Sequence, residues 1–260
     1  MKPVVIPIVS VLAFLLLWHF CIGWFDVPDY LVPSPQAVIE ALWHGYVGGR
    51  FWPHLFTTLT EMSLGYTIGC VTALLLGALV AEWQDLERVL YPFIVALQSM
   101  PKVALAPLLL VWLGFGLASK VVLVALICFF PVFINSVVGF KSANPDLLRL
   151  YRAFNASRFQ IFISVKLPSA ADAIFAGLQI AVVMALIGAV VGEFLSARSG
   201  LGYLIQSSTL NFDVATMFAA IASLALIGVT LTSLIRLLHR RIVFWSDSFN
   251  SETKTVSEQA

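Results

Sequence analysis

Residues 173–192 read AIFAGLQIAVVMALIGAVVG, an unbroken stretch without Asp, Glu, Lys or Arg. A hydrocarbon layer about 30 Å thick needs roughly 20 apolar residues in helical form to cross it. The stretch lacks the apolar–polar alternation of a barrel strand, so it predicts a membrane-spanning helix. Five more charge-free runs flank it: Pro3–Phe25, Met62–Ala81, Val103–Ser119, Val121–Phe140 and Val214–Ile235. The expected spans lie near 3–25, 62–81, 91–114, 119–140, 170–193 and 214–236. The fold class expected is therefore an all-α integral membrane protein with six transmembrane helices.

Composition agrees. Of 260 residues, 60% are apolar and 11% charged, and mean hydropathy is +0.95. A soluble domain is about half apolar and a quarter charged, so this chain could not cover a water-facing surface. An ordinary cytosolic enzyme, a disordered protein and a disulfide-stapled secreted domain are excluded. Net charge is +1, which gives no field to attract nucleic acid. Cys21, Cys70 and Cys128 all sit in apolar runs, away from any CxxC or Cys/His cluster, so redox and zinc chemistry lack support.

Lysine and arginine set the orientation, because cytoplasmic loops carry the excess. With the N-terminus inside, the inner segments hold Lys2, Arg88, Lys141, Arg149, Arg152, Arg158, Lys166, Arg236, Arg240, Arg241 and Lys254; the outer segments hold only Arg50, Lys120 and Arg198. Both termini are expected in the cytoplasm, and Asp26–Glu61, the Gly114–Ser119 turn and Glu193–Asp213 outside. The first run is too long for a signal-peptide core, and no small-x-small site follows it, so it reads as an uncleaved helix. The third carries Lys102 with Pro92, Pro101 and Pro107, which predicts a surface-lying helix and then a Pro-bent span, turning at Gly114 and Gly116. In the first outer loop, Ser34 can cap and Pro35 can open a short amphipathic helix through Trp43. Residues 1–245 are expected to be one transmembrane domain and 246–260 a polar, disordered tail.

The inner segment 141–168 carries the most information. Asn144 can cap a helix with Pro145 at its first position and Asp146 facing the dipole. Leu147, Leu150, Tyr151 and Phe154 form an apolar stripe opposite Arg149 and Arg152. Asn155 suits a left-handed helix end, and Ser157 with Gln160 is a capping box for a second helix, carrying Phe159, Phe162 and Val165 and ending at Leu167-Pro168. An apolar, capped helix pair between spans reads as a docking site, or else as a stem packed under the bundle.

The spacing resembles the EAA loop of permease subunits in ATP-binding-cassette importers: E-A-A, three residues, Gly, nine residues, then Ile-x-Leu-Pro. Val165-Lys166-Leu167-Pro168 supplies the tail, Asn155 stands where the family has Gly, and Arg149, Leu150 and Tyr151 occupy the E-A-A positions. Further segments are similar to permeases of the nitrate, sulfonate, taurine and bicarbonate group: Pro33-Ser34-Pro35, Ala106-Pro107-Leu108 with Trp112–Gly116, Phe175–Leu178, and Val191–Phe194 with Gly200–Tyr203. The resemblance implies that residues 141–168 are a cytoplasmic coupling-helix loop. Arg149, Leu150, Tyr151, Arg152, Ala153, Phe154, Asn155, Ala156 and Ser157, with Leu167 and Pro168, would meet an ATPase subunit. It implies a homodimer with two cytoplasmic ATP-binding subunits and an extracytoplasmic solute-binding protein, in the bacterial inner membrane. The solute would be a small anion, such as a sulfonate or nitrate, or a vitamin precursor. The chain has no Gly-Lys dipeptide and hence no P-loop, so it is read as a non-enzyme without a cofactor.

Inside the spans, Gly65-x-x-x-Gly69 and Gly188-x-x-x-Gly192 allow close helix approach, either within one bundle or, for the second, near a dimer axis. Glu193 lies fourteen residues beyond Gln179, about 21 Å along a helix. It is either a pathway or gate group or an interfacial carboxylate satisfied by Arg198 or water. Asn135 is a pathway candidate or interhelical glue. A stand-alone secondary transporter is the alternative function, disfavoured because no inverted repeat or mid-span carboxylate is visible. An intramembrane enzyme lacks any Gly-x-Ser-x-Gly, His-Glu-x-x-His or paired aspartates.

Overall fold

The computed structural model describes residues 2–25, 28 and 30–245; the expected disordered tail lies outside them. The described chain is helical, with no strand among the described residues. In order come α1 (Lys2–Phe25), α2 (Pro35–Val47), α3 (Phe51–Glu82), α4 (Gln84–Ser99), a 3-10 turn at Lys102–Leu105, α5 (Ala106–Leu113) and α6 (Leu117–Lys141). There follow α7 (Pro145–Ala153), α8 (Arg158–Ile161), a π turn at Phe162–Lys166, α9 (Leu167–Ser196), α10 (Leu201–Leu210) and α11 (Val214–Ile242). Among the described residues, four helical runs are long and apolar enough to cross a membrane: Phe51–Glu82, Leu117–Lys141, Arg158–Ser196 and Val214–Ile242.

The residues divide into two compact units, one of 1–60 with 190–227 and one of 61–189 with 228–260. In the second unit, α3 and α6 approach closely. A Cβ on Gly65 would lie 2.5 Å from the Val124 Cβ, and one on Gly69 would lie 2.5 Å from the Ala125 carbonyl oxygen. The first small-xxx-small pair thus serves packing inside the unit. Lipid supplies no hydrophobic force between helices, so close van der Waals contact along this stripe holds them together. Gly188 packs on the same part of α6, where a Cβ would meet Ile127 at 3.1 Å. Further along, Phe140, Ala170 and Ile174 form a core with Leu74, Ala78 and Ala81.

The first unit is built on α2. Ser34 Oγ accepts from the Ala37 amide at 3.2 Å and Pro35 opens the helix, as its sequence predicts. Val38, Phe51, Leu204, Ala219 and Ala220 form the core, and Tyr46 stacks edge-on against Phe51.

The structure fills in one expectation and corrects two. The third run is a helix, α4, and then a Pro-bent segment: α4 and Lys102–Leu113 meet at 86°, at Pro101, whose ring and missing N–H stop a helix. Gly114, at φ +79°, and Gly116 then turn the chain into α6. The helix after Ser157 does not end at Leu167-Pro168; it runs on to Ser196. Pro168 cannot donate to the carbonyl four residues back, and the π turn re-spaces the ladder there, with the Leu167 amide bonding the Phe162 carbonyl.

The second correction concerns Glu61, expected at the end of an outer loop, and Lys120, expected at the outer rim of the fourth span. They lie inside α3 and α6 as a buried ion pair, Lys120 Nζ donating to Glu61 Oε1 at 2.6 Å, both almost without exposure. α3 begins at Phe51, eleven residues before the charge-free run, because a charge with an opposite partner does not end a helix. Lys120→Met should cost about 3–5 kcal/mol by leaving a buried carboxylate unpaired, whereas Glu61→Leu with Lys120→Met should recover most of it. Thermal unfolding in detergent checks this: the double variant should melt well above the single one.

Candidate functional site

Local chemistry builds the helix pair at 141–168. Asn144 Oδ1 accepts from the Asp146 amide at 2.8 Å, Pro145 opens α7, and no residue of α7 is buried. The helix ends in a Schellman motif: the Ala156 amide bonds the Tyr151 carbonyl at 3.0 Å and the Asn155 amide bonds the Arg152 carbonyl at 3.0 Å. That motif needs a left-handed residue, and Asn155 supplies it at φ +56°. The Ser157–Gln160 capping box is complete in both directions, at 3.2 and 2.8 Å.

The result is a rigid knuckle. Phe154 and Phe159 are 78% and 72% exposed. An open groove of about 490 Å³ is lined by Leu150, Tyr151, Phe154, Asn155, Ala156, Gln160 and Ser164. Arg149, Arg152, Ala153 and Ser157 are exposed around it, Arg149 pairing with Asp146 at 3.3 Å. The structure thus brings together the candidate residues 149–157. Leu167 is exposed and Pro168 half-buried in the helix beyond the π turn. Phe162 turns inward onto Phe140, ring centroids 5.2 Å apart.

Sequence reasoning missed two ion pairs at the roots of this segment, Lys166 with Glu82 at 2.5 Å and Lys141 with Glu87. The lysines stand at the segment's two ends and the glutamates five residues apart at the α3–α4 corner. Nothing in the spacing announces which lysine meets which acid.

The remaining candidates lie apart. Asn135 donates to the Pro131 carbonyl at 2.7 Å, one turn back on its own helix. Gln179 is half-buried, while Gly188 and Gly192 are buried. Glu193, fully buried, lies at the start of α10: Oε1 accepts from Thr58 at 2.6 Å and Oε2 from the Gly202 amide at 2.5 Å. Thr58 Oγ1 also accepts the Leu201 amide at 2.8 Å, and His54 Nδ1 accepts the Gly200 amide at 3.1 Å. Three amides of a helix start that would otherwise be orphaned are thereby satisfied by side chains. The carboxylate is a cap held by the helix dipole. His54 and Thr58 gave no sequence signal for this role, because their partners are 135 to 146 residues away.

The described residues combine four helical runs long and apolar enough to cross a membrane with a capped, exposed helix pair between two of them. The sequence profile described as "Binding-protein-dependent transport system inner membrane component" matches residues 65–244, and the chain belongs to that family. It is 38% identical to the riboflavin transport system permease protein of Chloroflexus aurantiacus, over 92% of this chain and 90% of that one. It is 35% identical to the formylaminopyrimidine transport permease protein of Halalkalibacterium halodurans, over 92% and 95%. Among solved structures, an amino acid ABC transporter crystallised with histidines shares the fold, with a TM-score of 0.60 at 20% identity over 83% of this chain and 100% of that one. The protein is therefore the permease subunit of an ATP-binding-cassette importer of small solutes, a multi-pass protein of the bacterial inner membrane. Its relatives are transport subunits and not enzymes, and membership implies ATP-binding subunits and a solute-binding protein as partners.

Gly200, at φ +123°, has the Glu193 carboxyl carbon 2.2 Å from where a Cβ would stand. Gly200→Ala should therefore destabilise by at least about 2 kcal/mol. Thr58→Val, which removes a donor to Glu193 Oε1 and the acceptor of the Leu201 amide, should cost about 1–3 kcal/mol. Thermal melting of the purified subunit reads both losses.

Proposed function

We propose that the chain crosses the membrane six times with both termini in the cytoplasm, residues 1–245 acting as one permease domain. The excess of Lys and Arg in the segments placed inside supports this orientation, and the bent α4–α5 pair is taken as the third crossing. Two copies form the pathway, and two ATP-binding subunits dock on the two knuckles from inside. A solute-binding protein delivers cargo from outside. ATP hydrolysis belongs to the docked subunits; this chain supplies neither nucleotide site nor cofactor.

The observation that carries the reading is the helix pair itself. A connection between spans would not need an Asn cap, a Schellman turn and a complete capping box, nor leave Phe154 78% exposed beside an open groove. Arg149–Ser157 form the contact, with Ala153, Phe154 and Ala156 at its apolar centre and Leu167 and Pro168 behind it. Gln179, Gly188, Gly192 and Asn135 are assigned to the pathway, while Glu193, with both oxygens engaged, anchors α10 and does not bind solute.

For cargo, the two relatives named above favour a nitrogen heterocycle of the vitamin-precursor kind over a sulfonate or nitrate. A ligand screen on the partner binding protein decides: riboflavin or formylaminopyrimidine should bind about tenfold or more tighter than taurine or nitrate, a gap of about 1.4 kcal/mol. Equal or reversed affinities would return the assignment to anions. Deleting Arg149–Ser157 should abolish co-purification with the ATP-binding subunit; retained assembly would refute the docking assignment.

A further inference from the structure

We infer that the two ion pairs at the roots of the knuckle, Lys166–Glu82 and Lys141–Glu87, are struts that carry the ATPase stroke into α3 and α4. They are positioning residues for coupling, separate from docking. The inference rests on the docking role proposed for 149–157 and adds the route by which force leaves it.

Four observations support it. The knuckle has only two covalent roots, the end of α6 and the π turn before α9, and each root carries one of the lysines. Both acids sit at a single corner, Glu82 as the last residue of α3 and Glu87 in the first turn of α4. α7 buries none of its own residues, so it has little other hold on the bundle. Finally, a cleft of about 250 Å³ runs along α4, bordered by Ile94, Gln98, Phe133, Val137 and Glu87 itself, and Lys141 ties this side of α4 to the root of the knuckle.

The π turn sets the register of the other strut. It adds one residue to the helical ladder, which turns everything on its far side by about 100° about the axis. Lys166 is the last residue of that turn, and its side chain meets Glu82 at 2.5 Å, partly sheltered from water. Lys141–Glu87 is more open. Ion pairs with this much exposure add little to folding free energy. Their value is directional: tension or compression at the knuckle meets opposite charges at a fixed corner, and both roots report to it together.

The test uses the full importer, with ATP-binding subunits and binding protein, reconstituted in proteoliposomes. Three quantities are read: co-purification of the ATP-binding subunit, ATP hydrolysis, and solute uptake per ATP. Glu82→Gln with Glu87→Gln should leave co-purification intact and hydrolysis within about twofold, and lower uptake per ATP about tenfold, the scale of coupling changes away from ligands. The swap Glu82→Lys with Lys166→Glu should restore at least half of what Glu82→Gln alone loses. Unchanged uptake per ATP in the double variant, or no recovery in the swap when the swapped protein assembles, overturns the struts. Phe154→Asp separates the two levels: it should release the ATP-binding subunit. If that subunit stays bound, the docking reading fails; if it leaves while the glutamine variants remain coupled, only the struts fail.

Discussion

A backbone amide or carbonyl in hydrocarbon has no water to bond, and this constraint shapes the whole chain. It forces continuous helix, and it forces small residues wherever two helices touch. Several hydroxyls in the spans fold back onto the carbonyl one turn earlier: Thr60 bonds Phe56, Thr72 bonds Ile68, Ser136 bonds Val132 and Ser169 bonds Val165. These serines and threonines present a closed polar shell to their surroundings. The glycines of α3 do the complementary work, letting α6 come within contact of the backbone.

The two buried glutamates show two ways to keep charge in such a medium. Glu61 faces a cation, Lys120, contributed by another helix. Glu193 faces the Gly202 amide and the Thr58 hydroxyl at the start of α10. Each carboxylate has partners that belong to the fold, and Glu61 Oε2 is buried without a hydrogen-bond partner. A carboxylate at the end of a transmembrane run invites a gate or ligand assignment; here its oxygens are used to fasten a short helix.

Mechanical work has to enter such a bundle at a point that is stiff and exposed. The Schellman turn and capping box make the segment at Asn155 stiff without burying it, and the π turn passes the helix through Pro168 instead of ending it there. On the proposed docking, the capped knuckle and the charged links at its roots are where an ATP-binding subunit would push.

Much of this was readable from residues alone. Charge-free runs mark spans because transfer into lipid is a property of composition, and Asn144, Pro145, Asn155, Ser157 and Gln160 mark helix ends because capping is local, reaching only three or four residues. The membrane location, the helix pair and its likeness to importer permeases follow from these. Partners far apart in sequence were decided by tertiary structure only. Glu61 looked like a loop charge and Lys120 like a charge at the outer rim, and α3 looked shorter than it is, since each charge was judged without the other. Glu193 read either as a gate group or as a carboxylate satisfied by Arg198 or water, because Thr58 and Gly202 reach it only through folding. The π turn at Phe162–Lys166 left no sequence mark beyond Pro168, because whether a proline stops a helix or is absorbed by a wider turn depends on the packing around it.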